Sequence, residues 1–392
     1  MKPIYFDNAA TTWPKPPTMM EAMVNFNESI GGNPGRSGHR ISVDAARVVY
    51  DARELVAELI NAPDPLSIAF TKNATEALNC VLFGLLRPGD HVVTSSMEHN
   101  SVMRPLRFLE RQEVELSIVP CSPRGELDPD DVSGHLRKTT KAIVMTHASN
   151  VTGTLFPIDA LARIARERET LFIVDASQTT GSIPIDVMAT DVDILCFTGH
   201  KGLMGPQGTG GFYMRKGLED RVTPLMRGGT GSASEFEEQP DFLPDRFESG
   251  TPNAIGLAGL AAGLRFVLDT GVDNIREKEV SLTRRFLDGI EPIPGVTLCG
   301  PKDAMDRTAV VSFNIRGASP SDLALVLDEQ FGILCRPGLH CAPAAHRTIR
   351  TFPDGTVRFS FGCFTTKEEI ERGLEAVALL SVQHTMKGES HV

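Results

Sequence analysis

No run of apolar residues in this sequence is both long and free of charge, although hydrophobic residues make up 41% of its 392 positions. A helix that crosses a bilayer needs about 20 consecutive apolar residues, so we expect no membrane segment. The sequence also lacks an excess of basic residues, since 39 lysines and arginines stand against 50 aspartates and glutamates. Binding to nucleic acid needs a positively charged surface, so we expect no nucleic-acid partner. The composition favours chemistry on a small molecule.

The sequence also lacks a secretion signal and a cysteine pattern that favours disulfides. The N-terminal stretch MKPIYFDNAATTWPKPP has neither the apolar core nor the cleavage site of a secretion signal, which predicts a cytoplasmic protein. The seven cysteines are odd in number and scattered along a chain that is large enough to fold without disulfides. We therefore expect free thiols, most of them buried as small apolar side chains.

The length of the chain exceeds the usual size of a single hydrophobic core, which predicts two domains. We expect a large α/β domain over residues 18–255. The long helix candidate AIGLAGLAAGLRFVLDTG then marks a hinge. Residues 1–17 and 256–392 are expected to form a smaller α+β domain.

In the large domain, continuously apolar segments such as LFIVDAS alternate with amphipathic segments such as PIDALARIARERE. This alternation predicts a mainly parallel sheet that is covered by helices on both faces. In open α/β sheets, ligands bind at the carboxyl ends of the strands. The polar residues that follow the predicted strands are Thr75 and Glu76, Glu98 and His99, Asn150, Asp175 and Gln178, and His200 and Lys201.

The segments FIVDASQ and FTGHKG bring Asp175 and Lys201 to neighbouring strand ends. The two residues could form a structural ion pair. The same combination is what pyridoxal phosphate requires, because a lysine binds its aldehyde and a carboxylate keeps its pyridine nitrogen protonated. The turn in TKNATEALN would offer backbone N–H groups of Ala74 and Thr75 to the phosphate at the start of a helix.

Ten motifs resemble one family over nearly the whole chain and in the order of that family. The sequence is similar to the class V aminotransferase superfamily of fold-type I pyridoxal-phosphate enzymes, and within it to group II cysteine desulfurases and selenocysteine lyases. The resemblance implies a mainly parallel seven-stranded sheet. The motifs are YFDNAATT, NPGRSGHR, TKNATEALN, SSMEHNSV, THASNVTG, VDASQ, FTGHKGLMGPQGTGG, FESGTPN, RPGLHCAP and VRFSFGCFTTKEEI.

The resemblance also implies roles for individual residues. Lys201 would bind the cofactor covalently, Asp175 would hold the pyridine nitrogen, and His99 would stack on the ring as a catalytic residue. Asn150 and Gln178 would bond the phenolic oxygen of the ring. The phosphate would be held by Thr75, Thr198 and His200, and by Thr251 of the other subunit, so a homodimer with active sites at the subunit interface is implied.

The segment CRPGLHCAPAAH, residues 335–346, holds two cysteines and two histidines. It could be a zinc site, a structural loop, or a loop that presents one nucleophilic thiol near Arg336 and His340. The resemblance identifies Cys341 as the cysteine that forms a persulfide. We expect no metal, and we expect Cys335 and His346 to be bystanders.

The resemblance assigns the substrate carboxylate to Arg358, whose planar guanidinium suits that task. Arg336, His39 and Asn150 are further candidates for the substrate pocket. The implied activity converts L-cysteine to L-alanine and passes the sulfur through Cys341 to an acceptor protein, for iron–sulfur assembly, thiolation or selenium supply. Alternatives are L-selenocysteine as substrate, another class V aminotransferase or C–S lyase, and a scaffold without catalysis that docks sulfur carriers.

The sequence departs from the family pattern at two places and contains one misleading motif. Leu339 stands where many group II members have a second histidine, and the acidic segment 232–245 differs from the usual hairpin, so both bear on substrate and acceptor specificity. The stretch GPQGTGG has the wrong glycine spacing for a nucleotide-binding loop. We expect these glycines to let the chain pass close to the cofactor.

Overall fold

The computed structural model describes residues 3–35 and 38–389, with side chains through residue 384. Arg36 and Ser37 of the NPGRSGHR motif, and both ends of the predicted small domain, lie outside the described residues. The strands are β1 (Ile4–Tyr5), β2 (Ile68–Thr71), β3 (His91–Ser95), β4 (Glu115–Val119), β5 (Thr140–Thr146), β6 (Leu171–Asp175), β7 (Ile194–Thr198), β8 (Gly210–Met214), β9 (Val296–Cys299), β10 (Val310–Ile315), β11 (Ile333–Leu334), β12 (Arg336–Gly338) and β13 (Thr356–Ser360).

The helices are mostly amphipathic and connect these strands. The α-helices are α1 (Pro17–Asn25), α2 (Arg40–Leu59), α3 (Ala74–Leu85), α4 (Asn100–Glu110), α5 (Pro129–His135), α6 (Ile158–Glu167), α7 (Val187–Thr190), α8 (Ala254–Thr270), α9 (Val272–Ile290), α10 (Pro320–Phe331), α11 (Pro343–Thr348) and α12 (Lys367–Glu389). Within the described ranges, no single helix is long and apolar enough to cross a bilayer, and α8 and α9 meet that criterion only together, across a 78° bend.

The central sheet has seven strands in the order β2-β8-β7-β6-β5-β3-β4. The five strands from β7 to β4 are parallel, which confirms the predicted mainly parallel sheet. The strand β8 runs antiparallel to both of its neighbours. This direction follows from the connection between β7 and β8, which is a loop without the crossover helix that a parallel neighbour needs.

Helices cover both faces of this sheet. Along β5, Ile143 and Met145 point into one apolar core, and Ala142 and Val144 point into a second core on the opposite face. The first core packs against α2, α6 and α8, and the second packs against α3 and α4. Alternate side chains of a strand point to opposite faces, so strands that are buried on both faces must be apolar throughout.

The C-terminal part of the chain forms a second, antiparallel sheet of four strands in the order β12-β13-β10-β9. Its apolar core is closed by α9, α10 and α12. The N-terminal strand β1 pairs with β11, and the N–H of Ser360 in β13 donates to the carbonyl of Phe6. The first residues of the chain therefore pack against its last strands.

The glycines of GPQGTGG have a packing role. Gly210 and Gly211 lie in β8, and a Cβ at Gly210 would stand 2.7 Å from the Cα of Asn73. A Cβ at Gly211 would collide with the carbonyl oxygen of Ala69 in β2. Gly210 and Gly211 therefore let β8 approach β2 and the start of α3.

Candidate functional site

A cavity of about 200 Å³ opens at the carboxyl edge of the central sheet, between this sheet and the four-stranded one. This edge is where the parallel strands deliver the residues that follow them, as expected for an open α/β sheet. The predicted site residues that line it are Ala74, Thr75, His99, Asn150, Asp175, Gln178, Thr198, His200, Lys201, Arg336 and Arg358.

Lys201 and Asp175 face this cavity from neighbouring strand ends. Asp175 is the last residue of β6, and Lys201 follows the end of β7 by three residues. The backbone N–H of Ser177 donates to Asp175 Oδ1 at 3.0 Å, and the Ser177 hydroxyl donates to the same oxygen. Burial lowers the pKa of Lys201 to about 8, although the charge of Asp175 acts in the opposite direction. The Lys201 amine can therefore lose its proton near neutral pH.

His99 precedes α4 and caps its first turn. Its Nδ1 accepts from the backbone N–H of Ser101 at 3.0 Å, which leaves the ring proton of a neutral imidazole on Nε2. Burial lowers the pKa of His99 to about 4, so the ring is neutral at physiological pH. The Ser101 hydroxyl lies 2.7 Å from His99 Nδ1 and 3.0 Å from Thr75 Oγ1. Ser101 therefore joins His99 to the turn at the start of α3.

The cavity also contains a set of unused hydrogen-bonding groups that fits a phosphate. The backbone N–H groups of Ala74 and Thr75 belong to the first turn of α3, where a helix offers no acceptor to its N–H groups. Across the described part of the chain, Thr198 Oγ1 and His200 Nδ1 are buried and have no hydrogen-bond partner. Burial and the charge of Lys201 lower the pKa of His200 to about 4, so it can donate as a neutral ring. Together these groups form an anion cradle.

Two amides that were expected to bond a cofactor ring already bond protein groups. The Nδ2 of Asn150 donates to the carbonyl of His340 at 2.7 Å, and the Nε2 of Gln178 donates to the carbonyl of Ala9 at 3.2 Å. Within the described residues, Asn150 Oδ1 is buried and unpartnered. Asn150 thus connects the cavity to the loop that holds Cys341.

Arg358 is buried at the base of the cavity, with 1% of its surface exposed. Its Nη2 donates to Asp7 Oδ1 at 2.7 Å, and its Nη1 donates to the carbonyl of Asn150 at 3.0 Å. The Nε is buried and, among the residues that the structure describes, has no acceptor. Two of the three nitrogens are thereby fixed, and the N–H of the third is among the donors that remain for an anionic group.

Cys341 lies on the loop that leads from β12 to α11, and it is the exposed member of the seven free cysteines, all of which lie in described parts of the chain. The Nη2 of Arg336 stands 3.7 Å from its sulfur. Cys335 and Cys363 pack against apolar cores, and burial raises the pKa of each thiol to about 12. An accessible thiol beside a guanidinium is the setting in which a cysteine reacts as a nucleophile.

The zinc alternative finds no support in this loop. Both ring nitrogens of His340 are bonded within the protein, Nδ1 to His346 and Nε2 to the carbonyl of Arg336. Throughout residues 3–35 and 38–389, no group of three or more histidine, cysteine, aspartate or glutamate side chains is arranged to hold a metal ion.

The structure does not bring His39 and Thr251 to this cavity within one chain. His39 is exposed and caps α2 by accepting from the N–H of Ser42. Thr251 is exposed and borders a separate cavity of about 400 Å³, which also contacts Arg53, Phe247 and Glu248.

Sequence reasoning missed four residues of this site. Asp7 lies in a motif that was recognised, but its contact with a residue 351 positions away is not visible in the sequence. Ser101 and Ser177 each follow a recognised residue by two positions, a spacing at which a serine can bond a preceding side chain. His346, expected to be a bystander, is fully buried and contacts His340.

Comparisons with known proteins agree with this geometry. The family model described as aminotransferase class-V matches residues 4–372. A probable cysteine desulfurase of Pyrococcus abyssi is 36% identical over 94% of this chain and 92% of its own length, and one of Methanothermobacter thermautotrophicus is also 36% identical, with the same coverage. Among solved structures, the apo cysteine desulfurase of Thermococcus onnurineus NA1 matches with a TM-score of 0.91 and 34% identity over 97% of this chain and 95% of that one. The cysteine desulfurase CsdA of Escherichia coli matches with a TM-score of 0.85 and 28% identity over 96% of this chain and 94% of that one.

Proposed function

The chain belongs to the class-V aminotransferase family, with the fold-type I architecture of that family, and from this membership we propose that it is a pyridoxal-phosphate-dependent cysteine desulfurase. The enzyme converts L-cysteine to L-alanine and transfers the sulfur to Cys341. One observation carries the proposal: the cavity that holds Lys201 and Asp175 is also lined by Arg336 of β12 and by His340, the residue before the exposed Cys341.

The residues of the cavity fit the cofactor. The unpartnered Thr198 Oγ1 and His200 Nδ1, together with the N–H groups of Ala74 and Thr75, would hold the phosphate. Asp175 would bond the pyridine nitrogen, and Lys201 would bind the aldehyde carbon. When bound, pyridoxal phosphate supplies an electron sink that stabilises a carbanion at the substrate Cα.

The chain's own residues then bind the substrate and move its protons. Arg358 would bind the substrate carboxylate with N–H donors that are not bonded to the protein, among them that of Nε, and Arg336 lies beside it. Lys201 would remove the Cα proton as a neutral amine. His99 holds a proton on Nε2, on the side of the ring away from the Ser101 N–H.

Cys341 takes the sulfur in a step that needs no external oxidant. Its thiolate attacks the substrate sulfur, so that an S–S bond forms and the Cβ–S bond breaks. The electron pair of the broken bond stays on carbon, which is protonated to give alanine. Cysteine and the enzyme thiol thus become alanine and an enzyme persulfide, and a sulfur-acceptor protein then removes the terminal sulfur.

The proposal also covers the domains, the oligomeric state and the location of the protein. Residues 18–255 would form the cofactor domain, and residues 1–17 and 256–392 the smaller domain. A homodimer would bring Thr251 and His39 of each protomer to the active site of the other, in agreement with their exposure outside the cavity. Seven free cysteines suit the reducing cytoplasm.

The proposal is tested by a spectrum and a product assay on the purified protein. We expect the visible absorbance of a lysine-bound cofactor. We also expect one alanine for each sulfide released when L-cysteine and a reductant are added. A colourless protein that does not take up pyridoxal phosphate and forms no alanine would contradict the proposal.

The pKa of Lys201 leads to a prediction on cofactor uptake. The neutral amine attacks the aldehyde, and a pKa of about 8 means that the neutral fraction falls as the pH drops below 8. After removal of the cofactor, the rate of uptake should rise about tenfold per pH unit well below pH 8 and level off above it. Stopped-flow absorbance measures this rate, and a rate that continues to rise up to about pH 10 would show an ordinary lysine.

Ser101 leads to a second prediction. The change Ser101→Ala removes the hydroxyl between His99 and Thr75 but keeps the backbone N–H that fixes the tautomer of His99. One hydrogen bond is worth about 1 kcal/mol, so we expect kcat for alanine formation to fall about fivefold, with little change in the thermal midpoint. The variant Ser101→Thr, which keeps the hydroxyl, is the control. Equal kcat values for the two variants would show that the hydroxyl between His99 and Thr75 does not contribute to turnover.

A further inference from the structure

A chain of hydrogen bonds runs through two buried histidines behind Cys341. Thr351 Oγ1 lies 2.7 Å from His346 Nδ1, and His346 Nε2 lies 3.3 Å from His340 Nδ1. His340 Nε2 lies 3.0 Å from the carbonyl oxygen of Arg336. His346 is fully buried and His340 is 3% exposed. The histidines therefore have almost no contact with water, and their bonds must be satisfied within the protein.

The Arg336 carbonyl fixes the direction of every bond in this chain. A carbonyl oxygen only accepts, so His340 Nε2 must carry the proton. Burial lowers the pKa of His340 well below its usual value and that of His346 to about 4, so each ring is neutral and has one N–H. His340 Nδ1 then accepts from His346 Nε2–H, and His346 Nδ1 accepts from the Thr351 hydroxyl. Both histidines are thus Nε2–H tautomers.

The backbone that this chain supports is strained. His340 and Cys341 adopt left-handed φ angles of 49° and 58°, which residues with a side chain rarely adopt. Such a conformation persists only where the surroundings hold it. The carbonyl of Cys341 accepts from the N–H of Asn100 at 2.8 Å, and the carbonyl of His340 accepts from Asn150 Nδ2 at 2.7 Å.

These two bonds hold the backbone, and the His340 ring supplies a third attachment. It ties the turn to Arg336, whose Nη2 stands 3.7 Å from the Cys341 sulfur. His346 holds the His340 ring in turn, since the only donor available to His340 Nδ1 in the described chain is His346 Nε2. Removal of the Thr351 hydroxyl would leave His346 Nδ1 without its donor, so that only the bond to His340 would hold the His346 ring.

We propose that His346 and Thr351 are positioning residues that orient the Cys341 thiol against Arg336 through His340. The proposal deepens the assignment of Cys341 and rests on the proposed function for the use of the thiol, but the geometry of the loop can be tested without turnover. The two positioning residues do not touch the substrate; they act through the His340 ring and the backbone of the turn.

The test is the alkylation rate of Cys341 by iodoacetamide, measured in the full-length protein by mass spectrometry at fixed pH. Cys341 is the exposed cysteine, so access does not limit its alkylation, and the rate reports how the loop holds the sulfur against Arg336. The variants are Thr351→Val, which removes the hydroxyl at constant shape, and Thr351→Ser, which keeps it. His346→Leu and His346→Gln form a second pair, because a glutamine amide can donate from the place of Nε2.

We expect Thr351→Val and His346→Leu to slow alkylation about fivefold, as the loss of one hydrogen bond of about 1 kcal/mol predicts, and the serine and glutamine variants to restore it. Histidine ¹⁵N spectra of the wild type should show Nε2–H tautomers for both rings. Equal rates in the two members of each pair, or an Nδ1–H tautomer of either ring, would overturn the proposal. If the rates differ as expected but L-cysteine yields no alanine, the inference stands and the proposed function fails.

If His346→Leu does not fold, the Thr351 pair decides, since valine replaces only the hydroxyl and serine removes only the methyl group of a partly exposed residue. In an active enzyme, the same variants should lower kcat for sulfide release about as much as the alkylation rate and leave KM for L-cysteine unchanged. A change in KM alone would place the effect in the substrate pocket and contradict a role in orienting the thiol.

Discussion

Replacement of Lys201 by alanine should abolish turnover of L-cysteine, with kcat reduced by about 10³-fold or more, because the proton transfer at Cα loses its base. The variant should also lose the covalent attachment of the cofactor. Denaturation followed by filtration will release pyridoxal phosphate from Lys201→Ala, whereas after borohydride reduction the wild type will retain it on the peptide that contains Lys201.

The control is Lys216→Ala, a change at an exposed lysine just after β8. It should retain the wild-type spectrum and turnover. If the reduced cofactor were found on Lys15 instead, the assignment of Lys201 would be wrong. Lys15 is the relevant competitor, because its amine is also largely buried, with a pKa lowered to about 8 by burial, but it donates to the carbonyl of His200.

Replacement of Cys341 by alanine should lower sulfide release from L-cysteine by about 10²-fold or more, since Cys341 is the one exposed thiol among the seven described cysteines. The cofactor spectrum should be unchanged, because Cys341 does not line the cavity. The measurement is the release of alanine and sulfide under reducing conditions, with the cofactor content determined in parallel.

Cys335→Ala is the matched control from the same segment of sequence. Cys335 packs against the core of the four-stranded sheet, and burial raises the pKa of its thiol to about 12, so it should contribute to stability and not to turnover. Full sulfide release by Cys341→Ala would contradict the role of the thiol. It would favour a lyase in which the sulfur or selenium leaves without a protein nucleophile.

Much of the fold and of the cavity could be predicted from the sequence. The strands of the central sheet are apolar on both faces, and their carboxyl ends place Asp175, Thr198 and Lys201 at one edge. The antiparallel direction of β8 could not be predicted, because it depends on a connection without a helix. Local periodicity contains no information on the path of such a loop.

The contacts that complete the site were less accessible to sequence reasoning. The bond between Asp7 and Arg358 joins residues at opposite ends of the chain, and it forms because the first strand packs beside the last ones. His346 stands five residues beyond Cys341, but only the turn into α11 brings its ring against His340. Thr251 and His39 stay outside the cavity of their own chain, and the roles proposed for them require a second copy.

The location of the persulfide tests the account most directly. Wild-type protein that has received L-cysteine without a reductant is digested after alkylation and analysed by mass spectrometry. The account predicts one additional sulfur on the peptide that contains Cys341, in an amount equal to the alanine formed in the first turnover. Alanine formed without added sulfur on Cys341, or with the sulfur on another of the seven cysteines, would contradict it.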